Sequence, residues 1–458
     1  MTLSDPSSTP AAGPAAPGGR TVSTTTATAI AVADMIGIGV FTSLGFQLAS
    51  IPSGFPILML WIVGGLAALG GALSYAELAV AFPRSGGEYN FLSRIYHPAL
   101  GFMAGWVSAT VGFAAPVALA AMAFGEYFAG VVPGAPPLIL GLLVAWGVTL
   151  VHLSGLKPGT VFQNVSTLIK VALIIAFIVA GFSVADPQPI SFLPQPGDLG
   201  LIASAPFAVS LVFVMYSYSG WNAATYIAGD VKEPERSLPV AMFVATLVVT
   251  VLYVALNAVF LYTTPVAAMA GQLNVAQIAG EHIFGPTGGR VVAALICIGL
   301  VSAISAMMWI GPRVTVAMGE DFSLLRIFSR HSRSGAPIVA LALQIAVVTL
   351  LLFTQSFEAV LDFIQFSLTL CSFLAVAGVI VLRVTRPELP RPYRVWAYPL
   401  TPLVFLVVTG LMMGYLLSER PAQSLASLGL MASGLVLFFL SRRASAHGDD
   451  DPQRAVKG

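Results

Sequence analysis

The first long apolar segment of the chain is interrupted by Asp34-Met35-Ile36-Gly37-Ile38-Gly39-Val40-Phe41, and the sixth by Tyr216-Ser217-Tyr218-Ser219-Gly220-Trp221-Asn222. Glycine lowers the cost of leaving helical geometry, and small or hydroxyl side chains can satisfy the backbone groups that a break frees. Inside a bilayer, unwound backbone is tolerated only where protein or a water-filled cavity receives it. Two breaks at corresponding positions therefore favour a transporter's central site. The alternative is close helix packing, which also uses glycine pairs.

Composition places most of the surface in lipid. The chain has 458 residues, of which 57% are hydrophobic and 9% are charged, and its mean hydropathy is +0.89. Soluble domains carry roughly 25% charged residues. The net charge of +1 gives no basic field for nucleic acid. The two cysteines, Cys297 and Cys371, lie in apolar stretches and indicate neither a disulfide nor a metal site.

A spanning helix needs about 20 mostly apolar residues. By that criterion the sequence predicts an all-α membrane protein with twelve spans. They lie near residues 24–48, 57–83, 98–130, 137–155, 160–183, 200–228, 239–263, 288–319, 337–355, 358–384, 399–418 and 422–441. We expect a disordered cytoplasmic tail over residues 1–23, a transmembrane domain over 24–441 and a cytoplasmic tail over 442–458.

The basic residues predict the orientation in the membrane. If the N-terminus is cytoplasmic, only Arg290 and Arg420 of the 21 Lys and Arg residues fall outside, and Lys170 falls within a span. Cytoplasmic loops are enriched in Lys and Arg, and misplacing one helix would destroy this asymmetry. The prediction is a multi-pass protein of the plasma membrane with both termini in the cytoplasm.

The two breaks have the chemistry to bind a zwitterion. Free amides of residues 37–39, at the start of a half-helix, can hold a carboxylate with the help of the helix dipole. Free carbonyls of Tyr216, Ser217 and Ser219 can accept hydrogen bonds from an ammonium group. The aromatic side chains that could cover the substrate are those of Tyr216, Tyr218 and Trp221.

Several motifs resemble the amino acid–polyamine–organocation superfamily, and among its branches the L-type amino acid transporters. The first break, Gly37-Ile38-Gly39-Val40-Phe41, is similar to the family pattern Gly-Ser-Gly-Ile/Val-Phe. The second segment ends Tyr75-Ala76-Glu77-Leu78 and continues Pro83-Arg84-Ser85-Gly86-Gly87-Glu88-Tyr89, which is the most specific match. Further matches are Tyr218-Ser219-Gly220-Trp221-Asn222, Lys232-Glu233-Pro234-Glu235-Arg236 and Arg391-Pro392-Tyr393-Arg394-Val395. The resemblance runs from about residue 24 to residue 441.

The resemblance implies a five-plus-five inverted repeat of the LeuT type with two added C-terminal helices, and alternating access around the breaks. It also implies that Tyr216 is an aromatic gate and that Asn222 shapes the side-chain end of the pocket. Two positions depart from the family pattern: Ile38 replaces the usual Ser, and Asp34 replaces the usual Asn. The predicted substrate-binding residues are Ile36, Gly37, Ile38, Gly39, Tyr216, Ser217, Tyr218, Ser219, Trp221 and Asn222.

Lys170 and Asp34 are the predicted coupling residues. Charged groups at bilayer depth are costly and mark functional sites. The resemblance implies that the Lys170 ammonium replaces a sodium ion and braces the first helix against the fifth and eighth. We hypothesise that Asp34 and Lys170 form an ion pair or share a proton. The alternatives are that Lys170 snorkels to the interface and that Asp34 caps the break.

The sequence thus predicts a secondary amino acid transporter, by proton symport or exchange, for neutral amino acids, with the lipid bilayer as its environment. The alternatives are a polyamine or cationic amino acid antiporter and a metal-ion carrier of the same fold. An ion channel is not indicated, because the chain contains no repeated filter sequence. The chain also contains neither an enzyme motif nor an ATP-binding loop. We expect no cofactor and no nucleic acid partner. Among acidic residues in the spans, we expect structural hydrogen bonds for Glu77 and access to water for Asp362.

Overall fold

The computed structural model describes residues 22–82, 87–154, 160–332 and 335–448. The predicted N-terminal tail, apart from its last two residues, and the end of the predicted C-terminal tail lie outside the described residues. Within the described ranges the secondary structure is helical, and one isolated bridge joins Val22 to Val231.

The α-helices are α1 (Thr24–Met35), α2 (Gly39–Leu48), α3 (Gly54–Ala81), α4 (Gly87–Ile95), α5 (Pro98–Val107), α6 (Ala114–Val131), α7 (Pro137–Leu153), α8 (Thr160–Gly181), α9 (Asp198–Ile202), α10 (Ala205–Ser217), α11 (Pro234–Thr263), α12 (Val266–Met269), α13 (Val275–Asp321), α14 (Ile338–Phe353), α15 (Phe357–Thr385), α16 (Leu400–Glu419) and α17 (Pro421–Gly448). A π-helix (Ser108–Gly112) lies between α5 and α6, and 3-10 helices occupy Ala223–Asp230 and Ser323–Ser329.

The lengths and composition of these helices are those of a multi-pass membrane protein. Among the described residues, eight helical stretches are long and apolar enough to cross a bilayer, or nine if the bent pair α1–α2 is one span. The helices α7, α10 and α14 are shorter but also apolar. Each segment predicted from the sequence coincides with one helix or with consecutive helices.

The centre of the bundle surrounds the two predicted breaks. Every residue of α2 except Phe46 is buried, and α10 packs against both α2 and α3. The pair α1 and α11 and the pair α3 and α11 also pack together, whereas α13 lies along α6 and α8. The first and sixth segments are therefore enclosed by the other helices.

A short backbone pairing joins the start of α1 to the segment that follows the second break. The Val22 amide donates to the Asp230 carbonyl at 3.0 Å, and the Lys232 amide donates to the Val22 carbonyl at 2.9 Å. The end of α3 is held by a buried carboxylate, because Glu77 accepts hydrogen bonds from Arg383 of α15. The structural role expected for Glu77 is confirmed.

The expected access of water to Asp362 is wrong. Its side chain is only 1% exposed, and neither carboxylate oxygen has a hydrogen-bond partner. The cause is the packing of α16 and α17 on α15, which covers this part of the helix. Arg420, 3.7 Å away, supplies a partly compensating charge.

Candidate binding site at two broken helices

The first break separates α1 from α2 by residues 36–38, with a bend of 41°. The Gly37 amide donates to the Met35 carbonyl at 2.8 Å, so the backbone turns sharply before α2 begins. The first amides of a helix have no partner within it. The start of α2 is therefore able to bind an anionic group.

Glycine at position 39 is required by a close approach to α10. A Cβ atom at this position would lie 2.5 Å from Ser217 Oγ and 2.8 Å from Ser217 Cα. Gly37 has open space where its Cβ would be. The glycine pair thus combines a tight helix contact at one residue with free volume at the other.

Three side chains from three different helices hold the carbonyl groups around the first break. Tyr253 of α11 donates to the Met35 carbonyl at 2.6 Å, and Tyr127 of α6 donates to the Phe41 carbonyl at 2.8 Å. Lys170 Nζ of α8 donates to the Ile36 carbonyl at 2.6 Å. The two tyrosines are absent from the residues predicted from the sequence, although buried tyrosine hydroxyls in apolar helices need such partners.

Lys170 also packs against α13. A Cβ at Gly299 would lie 3.2 Å from Lys170 Cγ, so the lysine stem crosses α13 at a position without a side chain. Its ammonium is tied to the first break. Lys170 therefore links the helices that the resemblance implied.

Asp34 and Lys170 do not form an ion pair in this structure. The Asp34 side chain is exposed, although Met35 and Ile36 next to it are fully buried. Solvent therefore reaches the first break at Asp34.

The second break begins where α10 ends at Ser217, and it continues as a turn over residues 218–222 before the 3-10 helix. Gly220 has φ +102°, and a Cβ there would lie 2.7 Å from Asp34 Oδ2 and 2.8 Å from the Asp34 carbonyl carbon. The two breaks are thus in direct contact. Only glycine fits this contact, on grounds of both space and backbone conformation.

Local hydrogen bonds satisfy part of the second break. The Tyr216 carbonyl accepts from the Ser219 amide at 3.0 Å and from Ser219 Oγ at 2.6 Å. Ser217 Oγ donates to the Phe213 carbonyl at 2.7 Å and lies 3.1 Å from Ser43 Oγ of α2. Ser219 is exposed and Tyr216 is half-buried, so solvent reaches both.

Tyr218 and Trp221 are not placed to cover a substrate in this structure. Tyr218 is fully buried, and its hydroxyl donates to the Trp61 carbonyl at 3.1 Å. Trp221 is buried with its ring edge-on to Tyr75 at 4.7 Å and to Phe405 at 6.0 Å. Both rings fill the interface with neighbouring helices instead.

Glu88 of α4 joins the second break to α3. Its carboxylate accepts hydrogen bonds from Tyr75 Oη at 2.8 Å, Asn222 Nδ2 at 3.1 Å and Tyr226 Oη at 2.8 Å. The sequence placed Glu88 in a motif but gave it no contact. Asn222, for which the resemblance implied a pocket role, is half-buried at the same place.

A stack of three phenylalanine rings lies beyond the other end of the breaks. Phe46 of α2 stacks on Phe213 of α10 at a centroid distance of 5.2 Å and on Phe357 of α15 at 5.6 Å. The rings are nearly parallel, at 9° and 5°. This stack joins α2, α10 and α15.

Among the described residues, no three His, Cys, Asp or Glu side chains converge as metal ligands would. Two broken helices that meet inside a helical membrane protein, with exposed residues at their junction, have the architecture of a transporter.

The comparison with known proteins identifies the family. The profile of the amino acid permease family matches residues 22–439, and the chain therefore belongs to that family. It is a membrane transport protein and not an enzyme. The resemblance found in the sequence is confirmed.

Individual relatives cover nearly the whole chain. The b(0,+)-type amino acid transporter 1 of Mus musculus is 28% identical over 424 residues, which cover 90% of this chain and 85% of the relative. The serine/threonine exchanger SteT of Bacillus subtilis is 24% identical over 424 residues, which cover 91% of this chain and 95% of the relative. The large neutral amino acids transporter small subunit 2 of Mus musculus is 26% identical, with 90% and 79% covered.

Proposed function

We propose that this protein exchanges neutral amino acids across the plasma membrane by alternating access around the two breaks. The observation that carries the proposal is their contact at Gly39–Ser217 and Gly220–Asp34, with solvent reaching the junction at Asp34. Exchange is supported by the exchanger among the relatives, whose name specifies serine and threonine.

The proposed fold has twelve spans over residues 24–441, arranged as a five-plus-five inverted repeat with two added helices. The bent pair and the three shorter apolar helices supply the spans beyond the eight long ones. Both termini are cytoplasmic in this proposal, in agreement with the distribution of Lys and Arg.

In the proposed site, the amides of Ile38 and Gly39 bind the substrate carboxylate, because the Gly37 amide already donates to the Met35 carbonyl. Ile36 and Gly37 lie beside the carboxylate at the end of α1. The carbonyls of Ser217 and Ser219 receive the ammonium group, and Tyr216 lies against the substrate. Lys170 holds the break in place. The positions of Tyr218 and Trp221 support a role in packing the second break rather than direct contact.

The exposure pattern supports a cavity that opens to the cytoplasm. Asp34, Ser219 and Tyr226 are exposed. Ser219 and Tyr226 lie toward the end of the sixth segment that the proposed orientation places inside, and Asp34 of the first segment contacts it at Gly220. The opposite end is covered by the stack of Phe46, Phe213 and Phe357. The structure is then the inward-facing state of the cycle.

A second candidate is transport of cationic amino acids or polyamines. The observation that favours it is the exposed Asp34 carboxylate, which lies at the junction of the breaks and makes no direct ion pair among the described residues. An exposed negative charge at the breaks attracts a second cationic group on the substrate.

The test is uptake of labelled amino acids by reconstituted liposomes, either empty or preloaded with unlabelled amino acids, with and without an inward proton gradient. Exchange predicts uptake only into preloaded vesicles. Gradient-driven uptake into empty vesicles would replace exchange by proton symport. Competition by arginine or putrescine but not by neutral amino acids would favour the second candidate, and no uptake in any condition would refute amino acid transport.

A further inference from the structure

The contact between Glu88 and Asn222 has a chemical direction. A carboxylate oxygen only accepts hydrogen bonds, so the group that Asn222 turns toward Glu88 Oε1, 3.1 Å away, must be its NH₂. The reversed amide would place its carbonyl oxygen against the carboxylate. Glu88 therefore orients the Asn222 amide with its NH₂ toward Glu88 and its carbonyl oxygen, Oδ1, away from Glu88.

The backbone of Asn222 is also held. Its carbonyl accepts hydrogen bonds from the Thr225 amide at 2.9 Å and from Thr225 Oγ1 at 2.7 Å. Glu88 itself is held by two further donors, the hydroxyls of Tyr75 and Tyr226. Hydrogen bonds therefore hold both the side chain and the main chain of Asn222.

The Asn222 Oδ1 atom is left without a protein donor. Among the described residues, the Asn222 side chain hydrogen-bonds only to Glu88, and Oδ1, which has no donor there, is not fully enclosed by protein. Solvent therefore reaches this oxygen. Asn222 is half-buried and follows Gly220, which contacts Asp34, by two residues, and the exposed residues Ser219 and Tyr226 lie on either side of it in the chain. Oδ1 is therefore available to a ligand at the second break.

We propose that Glu88 is a positioning residue that makes Asn222 present a hydrogen-bond acceptor to the substrate side chain. The protein then selects amino acids whose side chain donates a hydrogen bond, such as a hydroxyl or an amide, over apolar side chains of equal size. This inference rests on the proposed amino acid transport and specifies its substrate class.

Three amino acids with side chains of three heavy atoms separate the alternatives. Homoserine carries a hydroxyl that donates and accepts, O-methylserine carries an ether that only accepts, and norvaline does neither. The measurement is the concentration of each that halves uptake of labelled serine into preloaded proteoliposomes. For the unaltered protein we expect homoserine to be effective at about two- to tenfold lower concentration than the other two.

Glu88→Gln tests the positioning role. A glutamine can donate to Asn222 Oδ1, which frees the asparagine amide to turn its NH₂ toward the substrate. We expect O-methylserine to gain on norvaline and the advantage of homoserine over O-methylserine to shrink toward one. Tyr226→Phe is the matched control and should preserve the original ratios, because it removes only the donor to Glu88 Oε2. The negative charge and the hydrogen bonds of Tyr75 and Asn222 to Oε1 remain.

Asn222→Ala is the second variant, and it tests the proposal even if the Glu88→Gln protein does not fold. It removes the acceptor, so the three side chains should become equally effective. Equal effectiveness in the unaltered protein, or a Glu88→Gln variant that weakens all three by one factor, would overturn the positioning role while amino acid transport stands. If no amino acid is taken up and none raises the melting temperature of the unaltered protein in detergent, the proposed function and this inference both fail.

Discussion

Replacing Glu77 by glutamine removes the negative charge that holds the end of α3 against α15 and the segment after it. Arg383 donates to this carboxylate through Nε at 3.2 Å and through Nη2 at 2.6 Å. Arg391 Nε lies 3.7 Å away, and the Val395 amide donates at 2.7 Å. One side chain thus joins three separate parts of the chain.

The expected cost follows from burial. Glu77 is 3% exposed, and its partners Arg391 and Arg383 are 7% and 21% exposed, so water has little access to replace the lost carboxylate. Removing one member of a buried ion pair leaves an uncompensated buried charge and costs about 3–5 kcal/mol. Glutamine keeps the shape of the side chain, so the loss reports the charge and not a cavity.

The matched control is Glu358→Gln. Glu358 pairs with Arg420 at 2.5 Å, a similarly short contact, but the two side chains are 36% and 39% exposed. Exposed pairs contribute about 0–1 kcal/mol. Salt also screens an exposed pair more than a buried one.

The assay is unfolding of the purified protein in mixed micelles by titration with SDS, at low and at high salt. We expect a large loss of unfolding free energy for Glu77→Gln that changes little with salt, and a small, salt-sensitive loss for Glu358→Gln. Equal losses for the two variants would refute the argument from burial.

Three further perturbations test the site. Gly39→Ala inserts a methyl group 2.5 Å from Ser217 Oγ, so it should cost about 1–3 kcal/mol and abolish exchange in proteoliposomes, whereas Gly414→Ala, which has open space around it, should do neither. Lys170→Met removes the donor to the Ile36 carbonyl and should reduce exchange at least about tenfold, since a charged hydrogen bond is worth about 1.5–3 kcal/mol. Near-normal exchange would contradict the role of Lys170 as a brace. Phe46→Leu loses two ring stacks worth about 0.5–1.5 kcal/mol each. In a protein that also carries Tyr216→Cys, it should increase labelling of the new cysteine by an impermeant maleimide added outside. Labelling of the unaltered protein, whose described cysteines are buried, gives the background.

The helical segments and both breaks could be predicted from the sequence because their causes are local. Apolar runs of sufficient length define the helices, a glycine lies at the centre of residues 36–38, and residues 218–222 combine glycine with hydroxyl groups. Lys170 falls within a predicted span, and the resemblance implied that it braces the first helix; its ammonium is found at the first break.

The partners at the site could not be predicted, because they depend on which helices become neighbours. Asn222 and Glu88 are 134 residues apart, and Tyr253 and Met35 are 218 apart. The side on which Tyr218 and Trp221 lie was also hidden, since a helix enclosed by other helices and lipid is apolar all round and shows no polar face. Asp362 was misjudged for the same reason: the covering by α16 and α17 is a tertiary fact.

The two breaks differ in how they are held. The first is anchored from outside, because α6, α8 and α11 each donate a hydrogen bond to one of its carbonyls. The second satisfies its own carbonyls through Ser219 and Thr225, and its hydrogen bonds to Glu88 come from Asn222 and Tyr226. Any rearrangement that moves the 3-10 helix away from α4 must therefore break the Asn222 and Tyr226 hydrogen bonds together, and would release the orientation of the Asn222 amide in the same step.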